Sequence, residues 1–329
     1  MMIHIKTIQT PTDEQWDRIW SACDQATFYH SRVWHLIWQE YTGRKIKVEP
    51  LLLNLSDGNQ VLIPVSCHTV ANGLIKRYLS SPASSFGGWI SDKALTEEHH
   101  GVLFEFMRNQ YPFLVLRLNP YYSFTPKIKD AFVIQDNTQV LKLDTDFDQV
   151  YARFSKRHKT YINKAQKQGV VIQPANSDSD WSAFYDMYLE TFKRWGDKAS
   201  SKYKQSFFES IHQLNSPHAR LWMAYFEDRP VAGVIIFYSK KIVLYGYPAS
   251  FSQHQSLRAT DVLLYDIIKD ACARQYQFFD FSPSGWHKGV IEYKERFGSE
   301  FVSCNIINTQ PGWLKLMEKT YKTWLVKFT

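Results

Sequence analysis

The sequence predicts an α/β protein whose second half repeats the order of elements in its first half. In the second half, three short runs rich in β-branched and aromatic residues precede an amphipathic helix and one further strand. In the first half, strands, a helix and a final strand follow in the same order. Pro82-Ala83-Ser84 and Pro248-Ala249-Ser250 follow the third strand of each half, and Pro120 and Pro283 end the last strands at nearly the same offset. We interpret this shared register as an internal duplication; the alternative is chance, since proline and serine are common after strands.

Each element of the first half follows from a local pattern. Apolar residues at helical spacing, such as Trp16, Ile19 and Trp20, predict helices with one buried face. Runs of β-branched and aromatic residues bounded by turn residues predict strands, and a turn at 56–59 joins two of them into a hairpin. The predicted helices are 12–23, 32–41 and 96–110, and the predicted strands are 3–7, 48–55, 61–67, 77–81 and 113–118.

The second half begins with a basic helix. Residues 147–169 predict one long helix with Gly169 as its C-terminal cap. Six cations and no Asp or Glu lie between Arg153 and Lys167, so the helix presents either a solvated face or a phosphate-binding surface, and we favour the second. The other predicted elements are a helix over 180–193, strands over 220–227, 231–238 and 242–247, a helix over 260–272 capped by Thr260, and a strand over 278–282.

The composition limits the location of the protein more than its function. Its 329 residues are enough for two domains with cores of their own. The longest apolar run, 231–238, is too short to cross a bilayer, and residues 1–7 lack the apolar segment of a signal peptide, so a cytoplasmic protein is expected. The four scattered cysteines favour reduced thiols over disulfides or a zinc site. The net charge of +7 is compatible with an anionic partner, although many proteins share such a charge.

Motifs of several other chemistries are absent from the sequence. It contains no G-x-S-x-G elbow, no H-E-x-x-H pair and no Walker loop. The run Glu97-Glu98-His99-His100 lies in the first turn of a predicted helix, where acidic residues complement the helix dipole. We therefore predict no metal ligand there.

The end of the second half carries a more specific pattern. Lys288-Gly289, Tyr293-Lys294 and Arg296-Phe297-Gly298 follow in this order, with the segment 161–169 upstream. Together with the strand, helix and strand order, this pattern resembles the Fem-like (FemAB/FemX-type) aminoacyl/acyltransferases of the GNAT superfamily, which include enzymes that add amino acids to the peptide of the peptidoglycan precursor. The resemblance implies a tandem duplication of two GNAT-like acyltransferase domains, over 1–145 and 146–310. A C-terminal amphipathic helix over 311–329 is predicted either to pack back on a domain or to rest on a membrane surface.

The resemblance also implies where the reaction takes place. In the GNAT fold the acyl group lies where the fourth and fifth strands splay apart, and here these strands are 242–247 and 278–282. Asp280, near the carboxyl end of the fifth strand, is a candidate to orient or deprotonate an amine, or else a buried carboxylate that caps a nearby element. Tyr293 and Lys294 match positions that lie near the acyl donor in the Fem-like family. Lys294 is expected to stabilise the oxyanion or to hold a phosphate, with support from Arg296.

Two further sets of residues complete the predicted site. The polar segment 194–201 follows a helix and is either an ordinary helix end or a binding loop. The substrate-binding candidates are Arg194, Trp195, Asp197, Tyr245, Ser282, Lys288 and Arg296. The phosphate-binding candidates are Lys156, Arg157, Lys164, Lys167 and Arg258. No metal and no tightly bound cofactor are predicted.

The identity of the acyl donor divides the predictions. GNAT enzymes that use acyl-CoA carry a glycine-bearing loop before the central helix, whereas the matching residues 254–259 contain no glycine. Fem enzymes that use aminoacyl-tRNA typically carry a long coiled-coil arm, and no segment of this sequence is long enough for one. Because the cations are spread over Arg153–Lys167 and Lys288–Arg296, we predict aminoacyl-tRNA, with acyl-CoA as the alternative.

The predicted function is an acyl- or aminoacyl-transferase that forms an amide on a cell-envelope precursor of the peptidoglycan type, carried on a nucleotide or a lipid. The first alternative is an acyl-CoA-dependent N-acyltransferase acting on a sugar or another amine. The second is a non-catalytic protein of the same fold that binds tRNA or a membrane. The predicted location is the cytoplasm, with contact to the inner face of the membrane left open.

Overall fold

The computed structural model describes residues 2–70, 75–128, 133–143, 146–175, 177–196, 202–285 and 287–309. The candidate Asp197 and the predicted C-terminal helix over 311–329 lie outside these residues. The chain forms two compact units: the first runs to Asn137 and resumes at Ser303, and the second spans Thr138–Val302. The domain boundaries expected after residues 145 and 310 remain a prediction, because a compact unit is defined by packing and a duplicated domain by descent.

Helices and strands alternate along the described chain. The helices are α1 (Asp13–Ala22), α2 (Arg32–Tyr41), α3 (Glu97–Gln110), α4 (Phe147–Ala152), α5 (Lys156–Lys167), α6 (Asp178–Trp195), α7 (Gln205–Gln213), α8 (Ala259–Ala273) and α9 (Lys288–Glu295). The strands are β1 (Ile5–Gln9), β2 (Ile46–Val48), β3 (Leu51–Leu55), β4 (Gln60–Ile63), β5 (Ser66–Val70), β6 (Ile75–Leu79), β7 (Ile90–Ser91), β8 (Leu114–Arg117), β9 (Val133–Ile134), β10 (Asn137–Lys142), β11 (Val171–Pro174), β12 (Ala219–Phe226), β13 (Arg229–Tyr238), β14 (Ile242–Ser250), β15 (Phe278–Asp280), β16 (Glu300–Ser303) and β17 (Ile306–Asn308).

The described residues of the first unit form two sheets, with strand orders β1-β3-β4-β7 and β2-β5-β6-β8-β17-β9. The predicted hairpin over 48–67 contributes to both. Pro50 separates β2 from β3, and Pro64 separates β4 from β5, so each of the two predicted strands is split. Proline lacks the N–H that a ladder needs, which explains why the chain changes sheets at these two positions. Strands β6 and β8 are parallel, α3 connects them, and β17 lies antiparallel to β8.

The second unit contains one sheet, with strand order β11-β12-β13-β14-β15-β10-β16. Strands β14 and β15 are parallel, α8 connects them, and β10 lies antiparallel to β15. The apolar face of α8 packs on this sheet through residues that are fully or almost fully buried, among them Val262, Leu263, Leu264, Ile267, Ile268 and Ala271. This helix holds the parallel pair in place from one face.

The two units share the arrangement of a strand, a connecting helix, a parallel strand and an antiparallel neighbour beyond it. The predicted fold class, an α/β protein of two GNAT-like halves, is therefore confirmed. The prediction that the two Pro-Ala-Ser segments occupy equivalent places was wrong. Residues Pro82–Ser84 form a 3-10 turn after β6, whereas Pro248, Ala249 and Ser250 are the last residues of β14, so the two Pro-Ala-Ser segments are not structural equivalents.

The predicted long helix over 147–169 is two helices, α4 and α5, so this prediction was wrong. Ser155 interrupts it, because its hydroxyl accepts a hydrogen bond from His158 N at 3.3 Å and caps α5. Its own N–H donates to Arg296 O at 2.7 Å rather than to the preceding helix. Gly169 has a φ of +86° just beyond the end of α5, as predicted for a C-terminal cap. None of the helices in the described part of the chain combines the length and the apolar character needed to span a bilayer.

Candidate active-site cleft

The central parallel pair of the second unit opens at its carboxyl end. Backbone pairing between β14 and β15 ends with Leu244 opposite Asp280. Beyond that point the Ser282 hydroxyl donates to Tyr245 O at 2.8 Å, so a side chain replaces the ladder. Ser282 has a φ of +60°, a left-handed conformation that costs free energy in a residue with a side chain. The strands thus diverge at the place where the family resemblance predicts the reaction.

A cleft of about 990 Å³ lies beside this opening. It is bordered by the end of α6, the end of β14 and helix α9. Its described lining residues are Thr191, Arg194, Trp195, Tyr245, Pro248, Ala249, Ser250, Thr260, His287, Lys288, Gly289, Val290, Tyr293 and Lys294. None of these residues is acidic, and three of them are Lys or Arg, so the cleft favours a ligand that carries negative charge.

Lys294 lies at the buried side of the cleft, in the last turn of α9. Only 3% of the residue is exposed, and Nζ donates to Ser282 O at 2.6 Å. Burial lowers the pKa of Lys294 to about 8, and the carboxylate of Asp280 partly opposes this shift. The side chain therefore remains mostly an ammonium at neutral pH.

Asp280 is fully buried and does not line the cleft. Oδ1 accepts a hydrogen bond from the Thr138 hydroxyl and another from Ser282 N at 2.8 Å. Its negative charge raises the pKa of Lys294. Asp280 thus influences the cleft through Lys294 and Ser282.

Tyr293 precedes Lys294 on α9 and forms part of the cleft wall. Its hydroxyl is buried and has no hydrogen-bond partner among the described residues. Burial raises the pKa of Tyr293 well above its usual value, so the phenol stays protonated. Its ring packs edge-on against His158, with 5.1 Å between the centroids. The neighbouring Tyr245 is 8% exposed, and burial raises its pKa as well.

The outer edge of the cleft is aromatic and basic. Trp195 ends α6, and its ring meets His287 edge-on with 5.5 Å between the centroids. Arg194 reaches Ser250 O only at 3.5 Å, so its guanidinium is weakly held. Lys288 is exposed and lies 3.8 Å from Glu292. Sequence reasoning missed His287, which directly precedes α9 and whose sole signal was its position next to Lys288.

The predicted phosphate-binding residues fall into two groups. Arg157 Nε donates to Tyr161 Oη at 2.6 Å, and the Arg258 guanidinium lies 4.1 Å from the centroid of the same ring. These contacts lower the pKa of Tyr161, chiefly through the Arg157 hydrogen bond, with charges from Arg258, Arg157 and Arg296 adding to it. No described carboxylate forms an ion pair with these three arginines, which we name the arginine cluster. The second group is the exposed lysines of α5, Lys156, Lys164 and Lys167.

The arginine cluster lies at the start of α8, where Arg258 and not the predicted Thr260 takes the N-cap position. Arg258 occupies the N-cap with a φ of +58°, and no side chain caps the helix. Thr260, predicted as the cap, lies within the first turn and lines the cleft instead. The positive end of the α8 dipole therefore adds to the charges of the cluster.

The motif Arg296-Phe297-Gly298 packs α9 against the start of α5. Arg296 O accepts from Ser155 N at 2.7 Å, and Phe297 is fully buried. Gly298 has a φ of +81°, and a Cβ there would lie 2.7 Å from the Cβ of Arg153, so only glycine fits. Arg296 and Ser282 do not line the cleft, unlike Arg194, Trp195, Tyr245 and Lys288.

Comparison with known proteins identifies the second unit. Residues 152–295 match the family described as "Acetyltransferase (GNAT) domain". Among curated protein sequences, none matches the chain.

Similar solved structures cover nearly the whole chain. FemX is 11% identical, with a TM-score of 0.71 over 93% of this chain and 98% of that one. The C-terminal domain of a putative lysylphosphatidylglycerol synthetase from Agrobacterium fabrum is 9% identical, with a TM-score of 0.60 over 94% and 96%. L-PGS from Bacillus licheniformis is 14% identical, with a TM-score of 0.50 over 83% and 88%. Residues 152–295 therefore form an acyltransferase domain of the GNAT type, and the chain as a whole has the Fem-like fold.

Proposed function

We propose that this acyltransferase forms an amide bond on a peptidoglycan-type cell-envelope precursor, with aminoacyl-tRNA as the donor. The observation that carries the proposal is the buried ammonium of Lys294 on the inner side of a cleft whose described lining residues include no Asp or Glu. A cation held in a place of low dielectric stabilises a developing oxyanion far more than an exposed one would. The motif resemblance to the Fem-like family favours an amine of a cell-envelope precursor as the acceptor.

The proposed reaction needs no further reactant. The acceptor amine attacks the carbonyl carbon of the aminoacyl ester, which forms the C–N bond and places negative charge on the carbonyl oxygen. The Lys294 ammonium stabilises this oxyanion, and Asp280 keeps Lys294 protonated. When the C–O bond to the donor breaks, the proton released by the amine neutralises the leaving alkoxide. Tyr293, a protonated phenol with no described partner, supplies a donor at the same wall.

The remaining lining residues are proposed to hold the two substrates. Trp195 and Tyr245 offer aromatic surface for the transferred group or the acceptor. Arg194 and Lys288, which are exposed at the rim, suit anionic groups of a nucleotide- or lipid-linked acceptor. Ser282 and Arg296 support the cleft from behind through their backbone carbonyls.

The arginine cluster and the lysines of α5 favour tRNA as the donor. These cations are spread over α5, the start of α8 and the end of α9, and the arginines have no described carboxylate partner. A long polyanion engages such spread contacts, whereas the pyrophosphate of CoA needs one local pocket. Residues Ser252–Leu257, ahead of α8, form a 3-10 helix and contain no glycine, so they offer no glycine-rich cradle.

The test is a product assay with the full chain. Purified protein is supplied with charged tRNA or acyl-CoA, and with a nucleotide-linked or a lipid-linked peptidoglycan precursor, and amide products are identified by mass spectrometry. We expect the wild type to form product from charged tRNA and Lys294→Met to form none. The control Lys240→Met, in the turn between β13 and β14, should keep the activity. Product from acyl-CoA alone, with a sugar or another amine as the acceptor, would replace the proposal by the acyl-CoA alternative.

A further inference from the structure

Helix α9 carries Tyr293 and Lys294, yet it has only eight residues and therefore little stability of its own. Two groups at the start of α5 donate hydrogen bonds to backbone carbonyls at the C-terminal end of α9. Tyr293 O lies 3.2 Å from His158 Nε2, and Arg296 O accepts from Ser155 N at 2.7 Å. A carbonyl can only accept, so Nε2 of His158 carries the proton of the first bond. The last turn of α9 is thus fixed by another helix.

The other ring nitrogen of His158 faces a carboxylate. Nδ1 lies 2.6 Å from Oδ1 of Asp261, in the first turn of α8, and the two side chains are 1% and 6% exposed. The two side chains are close enough for an ion pair, but their atoms are not aligned for a hydrogen bond. Since Nε2 already carries a proton, a second proton between Nδ1 and Oδ1 leaves the pair with no net charge. The pair connects α5, α8 and α9 in the interior of the second unit.

We propose that His158 and Asp261 are positioning residues for the acyl transfer: Asp261 orients the imidazole, and His158 holds the carbonyl next to Lys294. This inference rests on the proposed role of Lys294 in the cleft. Neither His158 nor Asp261 lines the cleft, so they act through α9 and not on the substrates.

Packing alone does not account for a charged pair at this place. His158 is surrounded by aromatic rings, with the Phe297 centroid at 4.3 Å and the Tyr293 centroid at 5.1 Å. An apolar side chain would fill such a site without the cost of removing two charged groups from water. The pair also fixes the orientation of α9, because the imidazole donates a hydrogen bond to one carbonyl of this helix, which bears Lys294.

Three variants separate positioning from packing. His158→Leu keeps the volume and removes the donor, His158→Gln restores a donor, and Asp261→Asn removes the charge that orients the ring. The matched control is His212→Gln, since His212 also pairs with an aspartate, Asp178 at 2.8 Å, but is partly exposed and lies on α7. Two readouts need no substrate. They are the titration of the Lys294 side chain by NMR of ¹³C-lysine protein, assigned with Lys294→Arg, and amide hydrogen exchange over residues 288–295.

In the wild type, the Lys294 signal is expected to titrate near pH 8. In His158→Leu and Asp261→Asn, we expect its pKa to rise towards that of an exposed lysine and α9 to exchange about tenfold faster. His158→Gln should recover part of both effects, and His212→Gln should show neither. If His158→Leu does not fold, the comparison of Asp261→Asn and His158→Gln with the wild type decides.

Folded variants with unchanged Lys294 titration and unchanged exchange would overturn the inference, as would equal effects of the Leu and Gln variants. Activity is then measured with the donor that gives product. A positioning role lowers kcat more than it raises KM, and the conservative variant restores kcat. If the variants shift the Lys294 pKa and speed amide exchange in α9 while Lys294→Met keeps full turnover, His158 and Asp261 position α9 as proposed, but the proposed function is wrong.

Discussion

Lys294 Nζ lies 2.6 Å from the carbonyl oxygen of Ser282, at the point where β14 and β15 part. The same serine has a left-handed φ and receives two further constraints, from Asp280 and Tyr245. A strained residue held by three contacts keeps its conformation only while those contacts persist. Lys294 therefore helps to hold the opening between the strands in its shape and also places a positive charge there.

Replacing Lys294 with methionine should lower both turnover and stability. Turnover should fall strongly because the cation at the inner side of the cleft is lost. Stability should fall by about 1–3 kcal/mol, because Ser282 O loses its hydrogen-bond donor and the buried Asp280 loses a favourable positive charge. Denaturant unfolding and a turnover assay measure the two effects, and Lys240→Met, in the turn between β13 and β14, is the control. A variant with wild-type turnover would remove Lys294 from the reaction.

The pH dependence of turnover should report the protonation of Lys294. If the ammonium form is needed, kcat/KM falls as the pH rises through about 8. Asp280 raises this pKa, so Asp280→Asn should move the fall to lower pH. The measurement is kcat/KM over the range of stable folding for both proteins. A rate that rises through the same range would mean that the neutral amine acts as a base.

The first unit should lose stability in mild acid. His30 and His35 are fully buried, and burial lowers their pKa values from 6.5 to about 4 and about 3. Below about pH 6.5 the unfolded chain binds protons that the folded chain does not, so folding weakens as the pH falls towards these lower values. For His30 alone the loss by pH 4 is roughly 3 kcal/mol.

Denaturant unfolding at a series of pH values tests this expectation. His35→Gln should show a shallower decline of stability with falling pH than the wild type, since it has one proton fewer to exclude. His4→Gln, an exposed position in the same unit, should retain the wild-type slope. Equal slopes for His35→Gln and the wild type would show that His35 does not contribute.

Local patterns were enough to place much of the fold and the rim of the cleft. The predicted helices over 12–23, 32–41 and 96–110 correspond to α1, α2 and α3, because each has caps and an apolar stripe of its own. The split of the hairpin at Pro50 and Pro64 was not predicted, although proline cannot donate the N–H that a strand ladder needs.

The inner side of the cleft depended on contacts between distant segments. Lys294 is buried against the carbonyl of Ser282 at the end of β15, and the His158 pair joins residues that are about a hundred positions apart; no local pattern encodes either. The basic run around His158 predicted a helix that presents either a phosphate-binding surface or a solvated face. The structure shows that its first turn instead packs against the helix that carries the candidate catalytic residues.

The arginine cluster gives the last prediction, which concerns the donor. Changing Arg157 and Arg258 to glutamine removes two of the three guanidiniums near Tyr161, at the positive end of α8. If phosphates of tRNA bind there, affinity for charged tRNA should fall and the dependence of log K on log salt should become shallower by about two. Calorimetric titration at two salt concentrations measures both quantities. Arg274→Gln is the control, because Arg274 lies just beyond the other end of α8 and is paired with Asp270.

Adding Lys156, Lys164 and Lys167 to the set should flatten the slope further, since each exposed lysine would release its own counterion. An unchanged tRNA affinity and slope, together with CoA binding that barely responds to salt, would identify the acyl-CoA donor instead and leave the lysines of α5 as a solvated face.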